Sequence, residues 1–262
     1  MKPIIMSGTS VRAILDGRKT QTRRVVKPQP IYNGEYNDQW KWKAGYWCDE
    51  KELRGWLELC APYQKGQKLW VRETWRPDAF TEHGDVIVRY RANDEVKLFL
   101  NLDGGALPDV EEWAEREWAL FTDRAIAAGV PRDTHGLFDL DATDWKPPWK
   151  SPIFMPKWAT RIWLEVTGVR VERVQDIAPD DVTAEGLPYR EDTDEFPIGR
   201  SPSLHSGWHW GIPQRQWDGT TGYTCYTKDH KIAFKELWDS LNAKYPWADN
   251  PWVWVYEFKR SA

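Results

Sequence analysis

Ile14-Leu15-Asp16-Gly17-Arg18-Lys19-Thr20-Gln21-Thr22-Arg23-Arg24 is the stretch on which the reading of this chain turns, because a helix ends inside it and an extended basic segment begins. Ser10 suits an N-cap, Val11, Ile14 and Leu15 recur at helical spacing, and Gly17 stands where a helix C-terminus takes a left-handed residue. Beyond the glycine, two threonines and two valines favour extended backbone as far as Lys27, and Pro28 and Pro30 end it. Arg18 to Lys27 carries five basic residues and no acidic one. An amine beside a hydroxyl in such a segment suits an anion site or an activated nucleophile, although a solvated basic strand has the same composition. In a regular strand Lys19 and Thr22 would point to opposite faces, so they meet only if the backbone is still turning at Lys19.

Working outward, residues 31–62 read as loops with little regular structure. Lys68 to Thr74, introduced by Gly66, and the alternating run Val86 to Ala92 read as strands. The longest helix is expected over 108–129, opened by Pro108 with Asp109, Glu111 and Glu112 in its first turn and closed by Gly129. Arg161 to Val174 reads as a hairpin turning at Thr167-Gly168. Pro179 starts a short helix that stops at Gly186, and residues 187–229 read as a long loop. Asp229 to Ala243 gives an amphipathic helix, and Trp252 to Lys259 a closing strand apolar on both faces, as inside a sheet or barrel.

The 262 residues, 41% hydrophobic and 29% charged, fit one large domain or two small ones, and no apolar run approaches the roughly 18 residues of a membrane span. The first ten residues lack the pattern of a secretory signal, and three distant cysteines suit a reducing compartment, so the expected location is the cytoplasm. A net charge of −4 argues against wrapping duplex DNA. Tryptophan is unusually abundant, at 19 residues. Trp70, Trp163, Trp252 and Trp254 fall in strand candidates and Trp113, Trp118 and Trp238 in helices. Nine others, among them Trp40, Trp42, Trp208 and Trp217, fall in segments without assigned structure, as packed cover or pocket wall. There is no phosphate-binding glycine loop or nucleophile elbow. His205 and His209 are four apart, but Gly207 between them weakens a helical metal pair, and no metal is expected.

The opening stretch resembles the first motif of the ASCH domain family, a PUA-like β-barrel superfamily associated with RNA and modified nucleosides. Gly66 with Leu69-Trp70-Val71, Arg161 to Gly186 ending Val182-Thr183-Ala184-Glu185-Gly186, and Trp254 to Lys259 resemble its later elements in order. Lys68 to Trp75 and Asn250 to Val255 are similar to a large, prophage-type branch. The resemblance spans about half the chain and implies a single α+β domain over 1–262, a PUA-like barrel flanked by helices, with insertions at 31–62, 76–150 and 187–229. It further implies an amidohydrolase that removes an acyl group from the exocyclic amine of cytidine or a related nucleoside, without a cofactor. The implied catalytic set is Lys19, Thr22 and Glu185, and the candidate substrate-binding residues are Arg24, Arg23, Thr20, Trp70 and Arg72. Lys19 would need desolvation or crowding by cations to act as a base near neutral pH. The alternatives are a non-catalytic module that binds single-stranded RNA or a modified nucleotide, and a phage accessory protein. Oligomeric state stays open.

Overall fold

A computed structural model describes residues 1–34, 38–80, 85–99, 110–136, 138–140, 142–192, 207–215 and 221–261. In chain order the elements are β1 (Lys2–Ile5), α1 (Gly8–Leu15), β2 (Gln21–Val25), β3 (Ile31–Asn33), β4 (Gln39–Lys41), α2 (Glu50–Leu59) and β5 (Lys68–Arg72). There follow β6 (Trp75–Phe80), β7 (Val86–Tyr90), β8 (Val96–Phe99), α3 (Val110–Ala127), β9 (Trp163–Arg173) and α4 (Pro179–Ala184). The chain finishes with β10 (Tyr189–Asp192), β11 (Gly207–Arg215), β12 (Thr221–Thr227), α5 (His230–Leu241) and β13 (Trp252–Ser261). The class is therefore α+β, as expected. No described helix is long and apolar enough to cross a membrane.

The chain divides into two compact units, one of Met1–Lys2, Arg12–Leu69 and Trp163–Ala262, the other of Pro3–Val11 and Trp70–Ile162. In the first, β13 lies between β2 and β9 and is antiparallel to both. Its first five residues are all buried, which explains why it reads as apolar on both faces. One face packs Val25, Val253 and Val255 with Val182 of α4 and Phe234 and Trp238 of α5. The other carries Trp254, whose indole Nε1 donates to Leu57 O of α2 at 2.9 Å. Trp42 meets Trp254 and Trp56 edge-on with centroids 6.4 and 5.7 Å apart, and Trp40 meets Trp252 at 5.4 Å. Trp40, Trp42 and Trp56 of segment 31–62 are thus a packed cover, while Trp47 is exposed.

Several expectations need correction. The hairpin over 161–174 is one continuous 11-residue strand. Thr167-Gly168, so suggestive of a turn, is instead a bulge: Glu257 pairs with Gly168, and the next residue, Phe258, with Val166. Segment 31–62 contains α2, capped by Asp49, whose side chain accepts from Glu52 N–H, with Leu53 and Leu57 buried one turn apart. Segment 187–229 contains a three-stranded antiparallel sheet, β10-β11-β12. The cap of α1 is Ser7, whose Oγ accepts from Ser10 N–H at 3.2 Å. Strands β5, β7 and β13 and helices α3, α4 and α5 occupy their expected stretches. Pro108, Asp109 and His205 lie outside the described residues.

In the second unit β6, β7 and β8 form an antiparallel sheet. Trp75, Val86, Val88 and Tyr90 pack there with Met155 and Ala159 as a separate core, with Trp113 and Trp158 against it.

Candidate active site

Helix α1 ends in a Schellman arrangement. Gly17 adopts φ +75°, its N–H donates to Ile14 O, and the Arg18 N–H donates to Ala13 O. The Lys19 N–H returns to the same Ala13 carbonyl at 2.9 Å, so the backbone is still turning at Lys19 and β2 starts only at Gln21. Thr20 is then tied on both sides, its N–H donating to Ala184 O and its carbonyl accepting from Phe258 N–H. The condition that the sequence sets for Lys19 to leave the strand's alternation is met by this turn.

At the other end of the site α4 closes on Glu185, whose N–H donates to Asp181 O. Gly186 follows at φ +97°, and a Cβ there would lie 2.8 Å from the Ala13 Cβ and 3.1 Å from the Lys19 Cβ. The two motifs, 166 residues apart in sequence, meet on this glycine. The Lys19 Nζ donates to the Glu185 backbone carbonyl at 2.6 Å and to Glu185 Oε2 at 2.8 Å, with both residues buried. Arg18 adds a bond from Nη1 to Gly186 O at 2.6 Å.

Arg23 completes the cluster. Its Nη1 donates to Glu185 Oε1 at 3.1 Å and its Nη2 to Asp181 Oδ2 at 2.8 Å, while Nε and Nη2 reach Glu172 Oε1 at 3.0 and 2.5 Å. Register explains the convergence: Arg23 and Arg170 both pair with Val255 across β13, and Glu172 is two residues along β9 on the same face. Asp181 and Glu185 are one turn apart on α4. Arg170 donates to Asp181, Glu172 and Glu257, which extends the network toward the surface.

These contacts set the protonation of the lysine. Burial, the largest influence, pushes the Lys19 pKa down, and Arg24 and Arg23 push the same way. Glu185 opposes them without reversing the direction. Arg23 moves the opposite way: burial disfavours its charge, yet Glu185, Glu172 and Asp181 hold its pKa above the ordinary value. The surroundings therefore make the Lys19 ammonium easier to deprotonate than that of an exposed lysine, beside a guanidinium that stays charged.

The remaining expected residues are less uniformly placed. Thr22 is buried on β2 opposite Tyr256, and among the described residues it makes no side-chain hydrogen bond to Lys19 or Glu185. Arg24, two residues on and on the same face, is half-buried, and burial is the main influence that lowers its pKa, near Tyr63 and Tyr256. Thr20 is exposed. Trp70 and Arg72 belong to the second unit, where the Arg72 guanidinium carbon sits 4.5 Å from the Trp70 ring. The sequence reading missed Arg170, Glu172 and Asp181. Alternation along β9 and the one-turn spacing of Asp181 and Glu185 were the available signals.

The basic segment is consequently less basic than it reads. Arg18 pairs with Asp16, Lys19 with Glu185, and Arg23 with three carboxylates. Among the described residues, no group of three or more His, Cys, Asp or Glu side chains is placed to hold a metal ion. Comparison with family models, with curated proteins and with solved structures gives no match.

Proposed function

We propose that the chain is a large, prophage-type ASCH protein with a PUA-like barrel, and that it hydrolyses the amide joining an acyl group to the exocyclic amine of cytidine or a related modified nucleoside. The observation that carries this reading is the buried contact of 2.8 Å between Lys19 Nζ and Glu185 Oε2, with a threonine three residues along the sequence from the lysine. In this reading the protein works in the cytoplasm on a free nucleoside and without a cofactor.

The chemistry needs one proton acceptor and one proton donor. With the shared proton on Glu185 Oε2, neutral Lys19 takes the proton of the attacking hydroxyl as the oxygen bonds to the acyl carbon. Glu185 then protonates the exocyclic nitrogen as the carbon–nitrogen bond breaks. If the nucleophile is Thr22, an acyl ester forms, and water hydrolyses it by the same steps in reverse order. If the nucleophile is water, the carboxylic acid forms directly. Either route consumes one water and yields cytidine and the acid. The Arg23 contact on Oε1 leaves Oε2 as the oxygen that exchanges protons with Lys19.

The binding-module reading draws less support, because phosphate recognition needs accessible cations and Lys19 and Arg23 are buried in ion pairs. The test is release of cytidine from acetylated and longer-chain acylated cytidines by wild type, Lys19→Met, Glu185→Gln and Thr22→Ala. Losses of roughly 100-fold or more are expected for the first two variants. A surviving Thr22→Ala enzyme assigns the attack to water. Full activity of Lys19→Met, or an inactive wild type across acyl sizes, overturns the reading.

A further inference from the structure

A cavity lies beside α3 in the other unit. Trp113, Arg116, Glu117 and Arg124 fall within about 100° of one another around the helix axis and line a cavity of about 510 Å³. The facing wall is the segment from Pro148 to Pro156, which includes Trp149 and Phe154. Its volume is in the range that holds a small organic ligand.

The lining joins two kinds of surface. Lys150 is neutralised by a hydrogen-bonded ion pair with Glu117. Arg116 and Arg124 are exposed and form no ion pair among the described residues, which leaves two guanidiniums facing the cavity in a chain of net charge −4. The aromatic surface is equally available. Phe154 is 71% exposed. Trp149 is half-buried, and its ring is held by Arg76, whose guanidinium carbon is 4.4 Å from the centroid while Nη1 donates to Pro147 O at 3.1 Å. Flat aromatic faces stack planar heterocycles of any sequence, and a guanidinium fork fits phosphate.

We propose that this cavity binds a nucleotide-sized anionic heteroaromatic ligand, its base against Trp149 and Phe154 and its phosphate on Arg116 and Arg124. Neither surface alone accounts for the site. A simple phosphate would leave the aromatic wall without a role, and a neutral heterocycle would leave the two guanidiniums without one.

Equilibrium dialysis or calorimetry with adenosine and cytidine monophosphates, adenosine and inorganic phosphate tests this on the full chain at low and moderate salt. The monophosphates should bind at least tenfold more tightly than either adenosine or phosphate, and more weakly as salt rises. Arg116→Ala/Arg124→Ala should lose at least tenfold, and Phe154→Ala several-fold, with far-UV circular dichroism unchanged because these side chains are exposed. Absence of binding at millimolar nucleotide overturns the proposal. So does equal affinity for phosphate, or affinity unchanged in the double arginine variant, which would place the nucleotide elsewhere. The readout involves no hydrolysis, so its failure leaves the amidohydrolase reading intact, and failure of that reading leaves this one.

Discussion

Lys19 reaches Glu185 twice, its ammonium donating to the backbone carbonyl at 2.6 Å and to the carboxylate at 2.8 Å. The side-chain pair is therefore locked to the end of α4 as well as to a carboxylate that could rotate away. Two short contacts from one buried amine hold its proton beside Glu185, whichever of the two groups carries it.

The first prediction concerns pH. The Lys19 pKa is lowered chiefly by burial, with Arg24 and Arg23 contributing. Between its folded value and the ordinary lysine value of 10.5, the unfolded chain binds a proton that the native chain does not. Stability contributed by this group therefore rises with pH across that window and falls as pH drops through the folded value. Denaturant unfolding of wild type and Lys19→Met should show the wild type gaining on the variant as pH climbs toward 10.5. In the amidohydrolase assay the ascending limb of rate against pH should lie below that value.

Arg23 acts as a positioning residue for the pair. Arg23→Met removes the cation from three carboxylates and should cost about 3–5 kcal/mol in chemical denaturation. It also removes one of the influences that lower Lys19, so the ascending rate limb should move to higher pH. Arg23→Lys keeps the charge but not the fork, and should recover the limb more fully than the stability. A Met variant with an unmoved limb would leave Arg23 with a purely structural role.

How much of this was legible follows from where each partner lies. Gly17 and the pattern before it point to the helix end, and the turn at Lys19 is a local consequence of that end. Glu185 is legible only through the motif Val182-Thr183-Ala184-Glu185-Gly186 and its family resemblance. The partners of Arg23 were not legible, because Glu172 and Asp181 lie 149 and 158 residues away and meet it only through the register of β2, β13 and β9. Thr167-Gly168 misleads for a related reason: a glycine after threonine serves a turn or a bulge equally well locally, and only the long partner strand β13 selects the bulge. Helix α2 was hidden by tryptophans and glycines around a stripe whose Leu53 and Leu57 are its only fully apolar turn.

Gly186 and Gly55 should respond in opposite directions to alanine. At Gly186 the left-handed backbone and the 2.8 Å approach to the Ala13 Cβ both resist a side chain, so Gly186→Ala should cost more than about 1 kcal/mol and displace Lys19. Gly55 lies inside α2 with nothing within 4 Å of an added Cβ. Gly55→Ala should stabilise by about 0.5–1 kcal/mol. Thermal denaturation of the two variants checks both signs, and an activity loss confined to Gly186→Ala would tie the glycine to the site.

The last prediction concerns the second unit, where Arg161 and Glu73 form a bidentate pair. Arg161 Nε donates to Glu73 Oε1 at 2.8 Å and Nη2 to Oε2 at 2.7 Å, with both side chains 1% exposed. Arg161 also donates to Asn93 at 2.8 Å and to Glu95 Oε2 at 2.5 Å, and stacks 4.1 Å from the Tyr90 ring. Burial raises the Glu73 pKa, and Arg161 opposes that rise. Arg161→Met removes the opposing cation, so the carboxyl is driven further up, and the cost near neutral pH should be about 3–5 kcal/mol. A carboxyl with a raised folded pKa stabilises at low pH and loses that contribution as pH rises through the folded value. The deficit of Arg161→Met should therefore shrink as the buffer is acidified toward 4.5, the ordinary value for the group. Replacing both partners, in Arg161→Met/Glu73→Leu, removes the stranded charge and should recover much of the stability at neutral pH and flatten the pH dependence. A double variant no more stable than Arg161→Met would show that Arg161 matters through Glu95, Asn93 and Tyr90 and not through the Glu73 carboxylate.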